Sequence, residues 1–338
     1  MNRITPVLIV PLLFAAATAI PGTDPVAIDE WPVPWENSRP RDPYVAPDGR
    51  VWFVGQRGNY VAYLVPETGE FKRYELDPGV FPHNLIVDRD GSVWYAGNRA
   101  GHIGKLDPAT GKVTKYPMPD PEARDPHTLV FDESGHIWFT LQGSNMVGRL
   151  TKATGKIELL RVPTPRARPY GIALDSNGRP WVNLLGANKL VTIDPATMQL
   201  REIPLPREDG SSRRIAITSD DAIWYVDYHQ GYLGRYIPES GEFREWRIPG
   251  GAEGRPYAMA VDDRDRLWFV ETGPKPNRLV GFDPATAEFF SMTEIPSGGG
   301  AIRHMFFHAP TGMLWFGTDT NTIGRAKVSA GGMVQTDR

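Results

Sequence analysis

Seven times along this chain a short polar turn gives way to an apolar segment with a tryptophan near its start. Trp52, Trp94, Trp138, Trp181, Trp224, Trp268 and Trp315 recur at spacings of 42, 44, 43, 43, 44 and 47 residues. Phe53, Tyr95, Phe139, Val182, Tyr225, Phe269 or Phe316 follows each one. The turn ahead is rich in Asp, Asn and Gly, as in Arg89-Asp90-Gly91 and Ser176-Asn177-Gly178. These residues tolerate the positive φ of tight hairpin turns, so the pattern reads as two strands joined closely. Further on, a second apolar segment such as His102-Ile103-Gly104-Lys105-Leu106 runs into another turn, Asp107-Pro108-Ala109-Thr110-Gly111. A last segment ends near proline, as in Tyr116-Pro117-Met118-Pro119.

Each unit therefore holds four strands, a to d. In the second unit they are expected at 83–88, 93–98, 102–107 and 112–117. A four-stranded sheet repeated at this period predicts a β-propeller; a helical solenoid would need a 3.6-residue period, which is missing. The last unit reaches strand c at Ile323-Gly324-Arg325-Ala326-Lys327-Val328 and lacks strand d. Near the N-terminus Ala27-Ile28-Asp29-Glu30-Trp31-Pro32-Val33-Pro34 resembles the strand d segment Leu200-Arg201-Glu202-Ile203-Pro204-Leu205-Pro206. The expected fold is thus an all-β, seven-bladed propeller of four-stranded blades. Its N-terminal strand completes the C-terminal blade, closing the ring and removing open sheet edges.

The chain ends change the picture little. Arg3, the apolar run from Val7 to Ile20 and Ala17-Thr18-Ala19 read as a signal peptide over residues 1–19, too short for a membrane-spanning helix. The propeller is expected over 26–328, with a polar, disordered tail at 329–338. There is no cysteine, hence no disulfide and no lipid-modified cysteine. A periplasmic or secreted location follows, with no membrane span in the mature chain. The formal net charge of −3 argues against nucleic acid as a partner. The chain is expected to be a monomer with a small-molecule or cyclic peptide ligand at the channel mouth.

Propeller topology places the start of strand a and the end of strand b at one mouth of the central channel. At the start of strand a, usually after proline, the repeats carry Tyr44, His83, His127, Tyr170, Arg213, Tyr257 and His304. Such a ring either packs the channel or binds a polar ligand or metal, since neutral histidine serves as base or ligand near pH 7. At the end of strand b, Asp227 and Glu271 add carboxylates that could hold Mg²⁺ or Ca²⁺. In Arg124-Asp125-Pro126-His127 an acid and a histidine flank a proline, one blade after Phe81-Pro82-His83.

The recurring string Pro-His/Tyr-x-apolar, Asp-Gly-x-apolar-Trp-Phe and Ile-Gly-Arg/Lys-Leu resembles the streptogramin B (virginiamycin B) lyases, seven-bladed propellers, over nearly the whole mature chain. The resemblance implies opening of a cyclic depsipeptide at its ester bond by elimination. A histidine moves the proton and an acid-held Mg²⁺ polarises the carbonyl side. On the matching motif, His127 would be the acid–base, His83 its partner and Asp125 a metal ligand. Tyr44, Tyr170, Arg213, Tyr257, His304, Asp227 and Glu271 are substrate-binding candidates. This chain departs from the family pattern in carrying Asp125 for Glu, and Leu141 where a second metal-binding Glu is expected. Two other readings remain open on the residues: a non-catalytic periplasmic propeller binding a ligand or protein, and a lactonase-like hydrolase with Ca²⁺ held by Asp227, Glu271 and Asp319.

Overall fold

The computed structural model describes residues 24–331, so the expected signal peptide and the last seven residues of the expected tail lie outside the described residues. Among the described residues, 28 strands form seven four-stranded antiparallel sheets, and the only helix is the single turn Gly251–Gly254. Blade 2 is typical: Pro82–Val87 is strand a, Val93–Gly97 strand b, His102–Leu106 strand c and Val113–Pro117 strand d. These bounds lie within a residue of those expected. The seventh blade is closed by Ile28–Pro32, which pairs antiparallel with Thr322–Lys327, Trp31 opposite Ile323. Before it, the Asp24 N–H donates to the Phe290 carbonyl. Beyond the last strand, Ser329 Oγ donates to Asp263, so bonded structure continues past residue 328.

Packing explains the repeat. Six of the seven ladder tryptophans are among the largest fully buried side chains. The aromatic residue after each one needs room across the sheet. Tyr95 lies opposite Gly104, Phe139 opposite Gly148, Tyr225 opposite Gly234 and Phe316 opposite Gly324. A Cβ on Gly104 or Gly148 would come within 2.1 or 2.2 Å of the facing ring. In blade 4 the ring is replaced by Val182, and its partner is Val191 rather than glycine. The glycine of strand c is therefore a cavity for the ring, set by volume. Blade 6 differs: Phe269 faces Val280, and Gly281 faces Trp268.

Strand a of every blade lines the channel. The two ends of that channel differ in character. One is a polar mouth; the other is a funnel of about 410 Å³ walled by apolar residues such as Leu129, Ile172, Ile215, Met259 and Phe306.

Candidate functional site

The entry into strand a is built the same way in five blades. Arg39, Phe81, Asp125, Arg168 and Arg255 have φ between +48° and +60°, and each precedes a proline that opens the strand. Left-handed backbone at non-glycine residues is unusual and turns the chain sharply into the channel wall. A register shift follows immediately in strand a of blades 1 to 6. Such a bulge re-aims side chains. Successive residues can then both reach the channel, which strict alternation would forbid.

Strand pairing assigns the ring. Leu85 pairs with Tyr95, Leu129 with Phe139, Ile172 with Val182, Ile215 with Tyr225 and Met259 with Phe269. The mouth residue stands two before each: His83, His127, Tyr170, Arg213 and Tyr257. In blade 1 Tyr44 pairs with Trp52, so the mouth residue is Arg41. Tyr44 instead lies down the channel with its ring 4.2 Å from that of Phe306 and faces the apolar funnel. In blade 7 Met305 pairs with Phe316, so the mouth residue is Arg303. His304 sits one step below and also lines the funnel. The sequence reading placed Tyr44 and His304 at the mouth because Pro43-Tyr44 imitates the Pro-Tyr motif and because the a–b turn of blade 7 is longer by a residue.

Arg41, His83, His127, Tyr170, Arg213, Tyr257 and Arg303 thus surround a cavity of about 380 Å³, with Arg39, Arg168, Gln142 and His229 at its wall. The His83 and His127 rings lie against each other with centroids 3.6 Å apart and planes tilted by 35°, and the Tyr170 ring lies 4.3 Å beyond His127. Tyr170 and Tyr257 share a short hydrogen bond. Arg41 Nη1 donates to His83 Nε2 at 2.9 Å. Since a guanidinium can only donate, His83 Nε2 must accept, and neutral His83 carries its proton on Nδ1. His127 Nδ1 lies 2.8 Å from Thr128 Oγ1, leaving Nε2 without a protein partner among the described residues. Burial holds both imidazoles well below the usual histidine range, and the charges of Arg41 and Arg214 push the same way. Burial raises the Tyr170 phenol to about 12, and the Tyr257 phenol is lowered because Arg41, Arg213 and Arg214 outweigh its burial.

The next residue of each strand forms a floor. Arg214 crosses the channel: Nε donates to the Arg303 carbonyl at 2.7 Å and Nη1 to Thr128 Oγ1 at 3.2 Å. Asn84 Nδ2 donates to Asp42 Oδ2 at 2.9 Å. Burial opposes ionisation of Asp42, yet Arg41, Arg214, the Asn84 bond and His304 (charged in acid) hold it at about 2. Arg39, Arg41, Arg168, Arg214, Arg303 and Asp42 were missed in the sequence. Counting eleven residues back from Trp52, as from Trp94 to His83, would have found Arg41.

The acids expected at the mouth serve its loops instead. Asp125 accepts from Gly143 N–H at 2.5 Å, Ser144 N–H at 3.1 Å and Ser144 Oγ at 2.6 Å. Burial still pushes its carboxyl above the ordinary range. Asp227 Oδ1 accepts the N–H groups of Ser211, His229 and Gln230 at 3.1, 3.0 and 3.2 Å. Glu271 accepts from Gly250 N–H and Arg278. Asp319 is clamped by Arg303 at 2.5 and 2.7 Å. Among the described residues no acid lines the cavity. Among the described residues no group of three or more His, Asp or Glu side chains is placed to hold a metal ion. Mg²⁺ and Ca²⁺ take oxygen ligands, several of them charged. A mouth of guanidinium groups, with Asp125 engaged by its loop, does not fit such an ion.

The buried histidines make stability acid-sensitive. Unfolded, each would protonate near 6.5; folded, His83 and His127 protonate only well below that. Below pH 6.5 the unfolded state binds the extra protons, so the stability present above that pH is lost as pH falls, at up to about 1.4 kcal/mol per unit for each group. His304, lowered to about 4 by burial and by Arg214 and Arg41, adds to the loss. Thermal melts should drop steeply between pH 6.5 and 5 and less steeply in His83→Asn. A melting temperature that is flat over that range excludes neutral burial of these rings.

The family model described as the virginiamycin B lyase family matches residues 26–326. A streptogramin B lyase structure superposes with a TM-score of 0.80 at 27% identity, covering 89% of this chain and 97% of that one. The virginiamycin B lyase from Staphylococcus aureus superposes with a TM-score of 0.80 at 25% identity, covering 89% and 99%. The extracellular domain of a hybrid two component system from B. thetaiotaomicron shares the fold alone: TM-score 0.68 at 15% identity, covering 90% of this chain and 43% of that one. No curated protein matches the sequence.

Proposed function

We propose, from the premise that this chain belongs to the virginiamycin B lyase family, that its polar mouth catalyses elimination at an ester C–O bond with guanidinium groups in the role of a metal ion. The observation that carries this reading is the close pair of neutral imidazoles, His83 and His127, in a cavity that five arginines and, among the described residues, no carboxylate line. In the step proposed, His127 Nε2 takes the proton from a carbon next to a carbonyl. The C–O bond on the neighbouring carbon breaks, a carbon–carbon double bond forms, and the electron pair leaves on a carboxylate. In the tautomer that donates Nδ1–H to Thr128 Oγ1, the Nε2 lone pair is free for this work. The charge that grows on the carbonyl oxygen and on the leaving carboxylate is met by the guanidinium groups that line the cavity, donors already in place before the reaction.

The test is turnover of a streptogramin B and of O-acyl-threonyl peptides, with chelator and with added Mg²⁺. The expected result is an unsaturated product at the same rate in both conditions, with no label taken up from heavy-oxygen water. A product that appears only with Mg²⁺ overturns the guanidinium role. Label in the released acid marks hydrolysis instead, and no product from either kind of ester overturns the lyase reading.

A further inference from the structure

The polar atoms left over in the mouth say what it is built to hold. Among the side chains lining the cavity, four buried polar atoms have no hydrogen-bond partner: Arg41 Nε, Arg41 Nη2, His83 Nδ1 and Arg213 Nε. All four are nitrogens. The arginine atoms are obligate donors, and His83 Nδ1 carries the proton because Nε2 accepts from Arg41. Arg41 Nε is 3.7 Å from Asp42 Oδ1, beyond hydrogen-bond reach. No acceptor is among these buried unpartnered atoms; the free Nε2 of His127 keeps some accessible surface and is the base proposed above. A buried donor left unmade is costly, so a ligand that answers this set must bring acceptors.

Charge points the same way. Five guanidinium groups line the cavity: Arg39, Arg41, Arg168, Arg213 and Arg303. Two carboxylates stand behind them. Asp319 pairs with Arg303 and Arg39, and Asp42 lies near Arg41 and Arg214. Arg168 and Arg213 form no ion pair among the described residues. Arg213 is instead held between aromatic rings, its guanidinium 3.6 Å from the Tyr228 ring and 4.6 Å from that of Tyr257. These ring contacts, from two planes crossing at 74°, hold the guanidinium without using any of its N–H groups.

We infer that the mouth recognises its ligand through an oxyanion, a carboxylate or a phosphate, received by Arg41, Arg213 and the Nδ1–H of His83. An uncharged cyclic peptide would bring amide N–H groups as well as carbonyls and no charge to answer the guanidinium groups. The inference rests on the mouth being the site proposed above, not on the chemistry proposed there. In that setting the substrate is an ester that carries a free acid group, small enough for a cavity of about 380 Å³.

Calorimetric titration of the whole protein tests this, using inorganic phosphate, sulfate, succinate and citrate, with succinamide as the uncharged counterpart of succinate. Succinate or phosphate is expected to bind at least tenfold more tightly than succinamide, and more weakly as salt is raised. Preference between the carboxylates and phosphate identifies the class of oxyanion. Arg213→Gln should weaken binding at least tenfold, and Arg213→Lys, which keeps the charge without Nε, by an intermediate factor. Arg89→Gln, on an exposed residue away from the mouth, should leave it unchanged. Equal binding of succinate and succinamide, or full affinity in Arg213→Gln, overturns the inference. The two readings fail separately. Oxyanion binding without turnover of an acid-bearing O-acyl-threonine sinks only the lyase chemistry. Turnover of uncharged esters without oxyanion binding sinks only the oxyanion cradle.

Discussion

Turnover of an ester substrate by His127→Ala is expected to fall by about 10²- to 10⁴-fold, the usual contribution of a positioned general base. The effect should lie in kcat, because the oxyanion cradle of Arg41, Arg213 and His83 is left in place. His127 is almost fully buried, so a loss of activity could also come from disturbed packing. Two readouts separate these causes. Added imidazole should restore part of the rate to His127→Ala, since the vacated space next to His83 is of that shape. His127→Asn keeps a polar group beside Thr128 yet cannot accept a proton near neutral pH, so it should be as slow as alanine. The pH profile carries a third mark. The active form is neutral, and burial with Arg214 and Arg41 holds His127 well below its usual range. Activity should therefore persist below pH 6.5, where an ordinary histidine base would be half lost, and fall only in stronger acid. A profile that breaks at 6.5 would mean that a group other than His127 is the base.

What was legible in the sequence follows from what repeats. The tryptophans and their turns are local and recur in every blade, so they disclose strand number, blade number and closure without any knowledge of contacts. The segment Ala27 to Pro34 could be assigned to the last blade because it resembles the strand d segment Leu200 to Pro206 and the last unit lacks its own strand d. The mouth is different. It is made where seven blades converge, and its positions are set by the bulge and the left-handed residue at the start of strand a. Neither leaves a strict motif. Arg41 was hidden by a second proline, Pro43, two residues on; Arg303 was hidden by the absence of any proline before it and by the longer turn of blade 7. Asp125 is the reverse case. Its sequence neighbours Pro126 and His127 make it look like part of a site, yet its φ of +60° turns it toward the loop at Gly143 and Ser144. The same left-handed turn precedes the opening proline in blades 1, 2, 4 and 6, so the motif is first a device for entering strand a, and Asp125 occupies it with its carboxylate bonded to the neighbouring loop.

The second large effect belongs to the closing strand. Removal of residues 24–34 is expected to abolish cooperative folding or lower the melting temperature by more than about 10 °C, given that single-domain stability is about 5–15 kcal/mol and that a lost kilocalorie shifts the melting point of a large domain by about 2–4 °C. Trp31 and Val33 are both nearly fully buried. Trp31 stacks on Trp315 with centroids 5.7 Å apart, and Arg325 sits over both rings. Burial of two such side chains contributes about 3–6 kcal/mol, before any ladder hydrogen bond is counted. Glu30 also takes bonds from Ser297 N–H at 2.7 Å, Ser297 Oγ at 2.6 Å and Thr322 Oγ1 at 2.6 Å, tying blade 6 to blade 7 through this one strand. Without it the edge of Thr322–Lys327 is open and free to pair with another chain, so the truncated protein should also associate. Scanning calorimetry and size-exclusion chromatography measure the two consequences. Trp31→Ala alone should cost about 3–5 kcal/mol. A synthetic peptide spanning residues 24–36, added in trans, should restore part of the stability, because the strand is held by contacts and not by its covalent connection to blade 1. A truncated protein that melts within a few degrees of the full chain and stays monomeric would show that six complete blades and a three-stranded seventh close the ring without it.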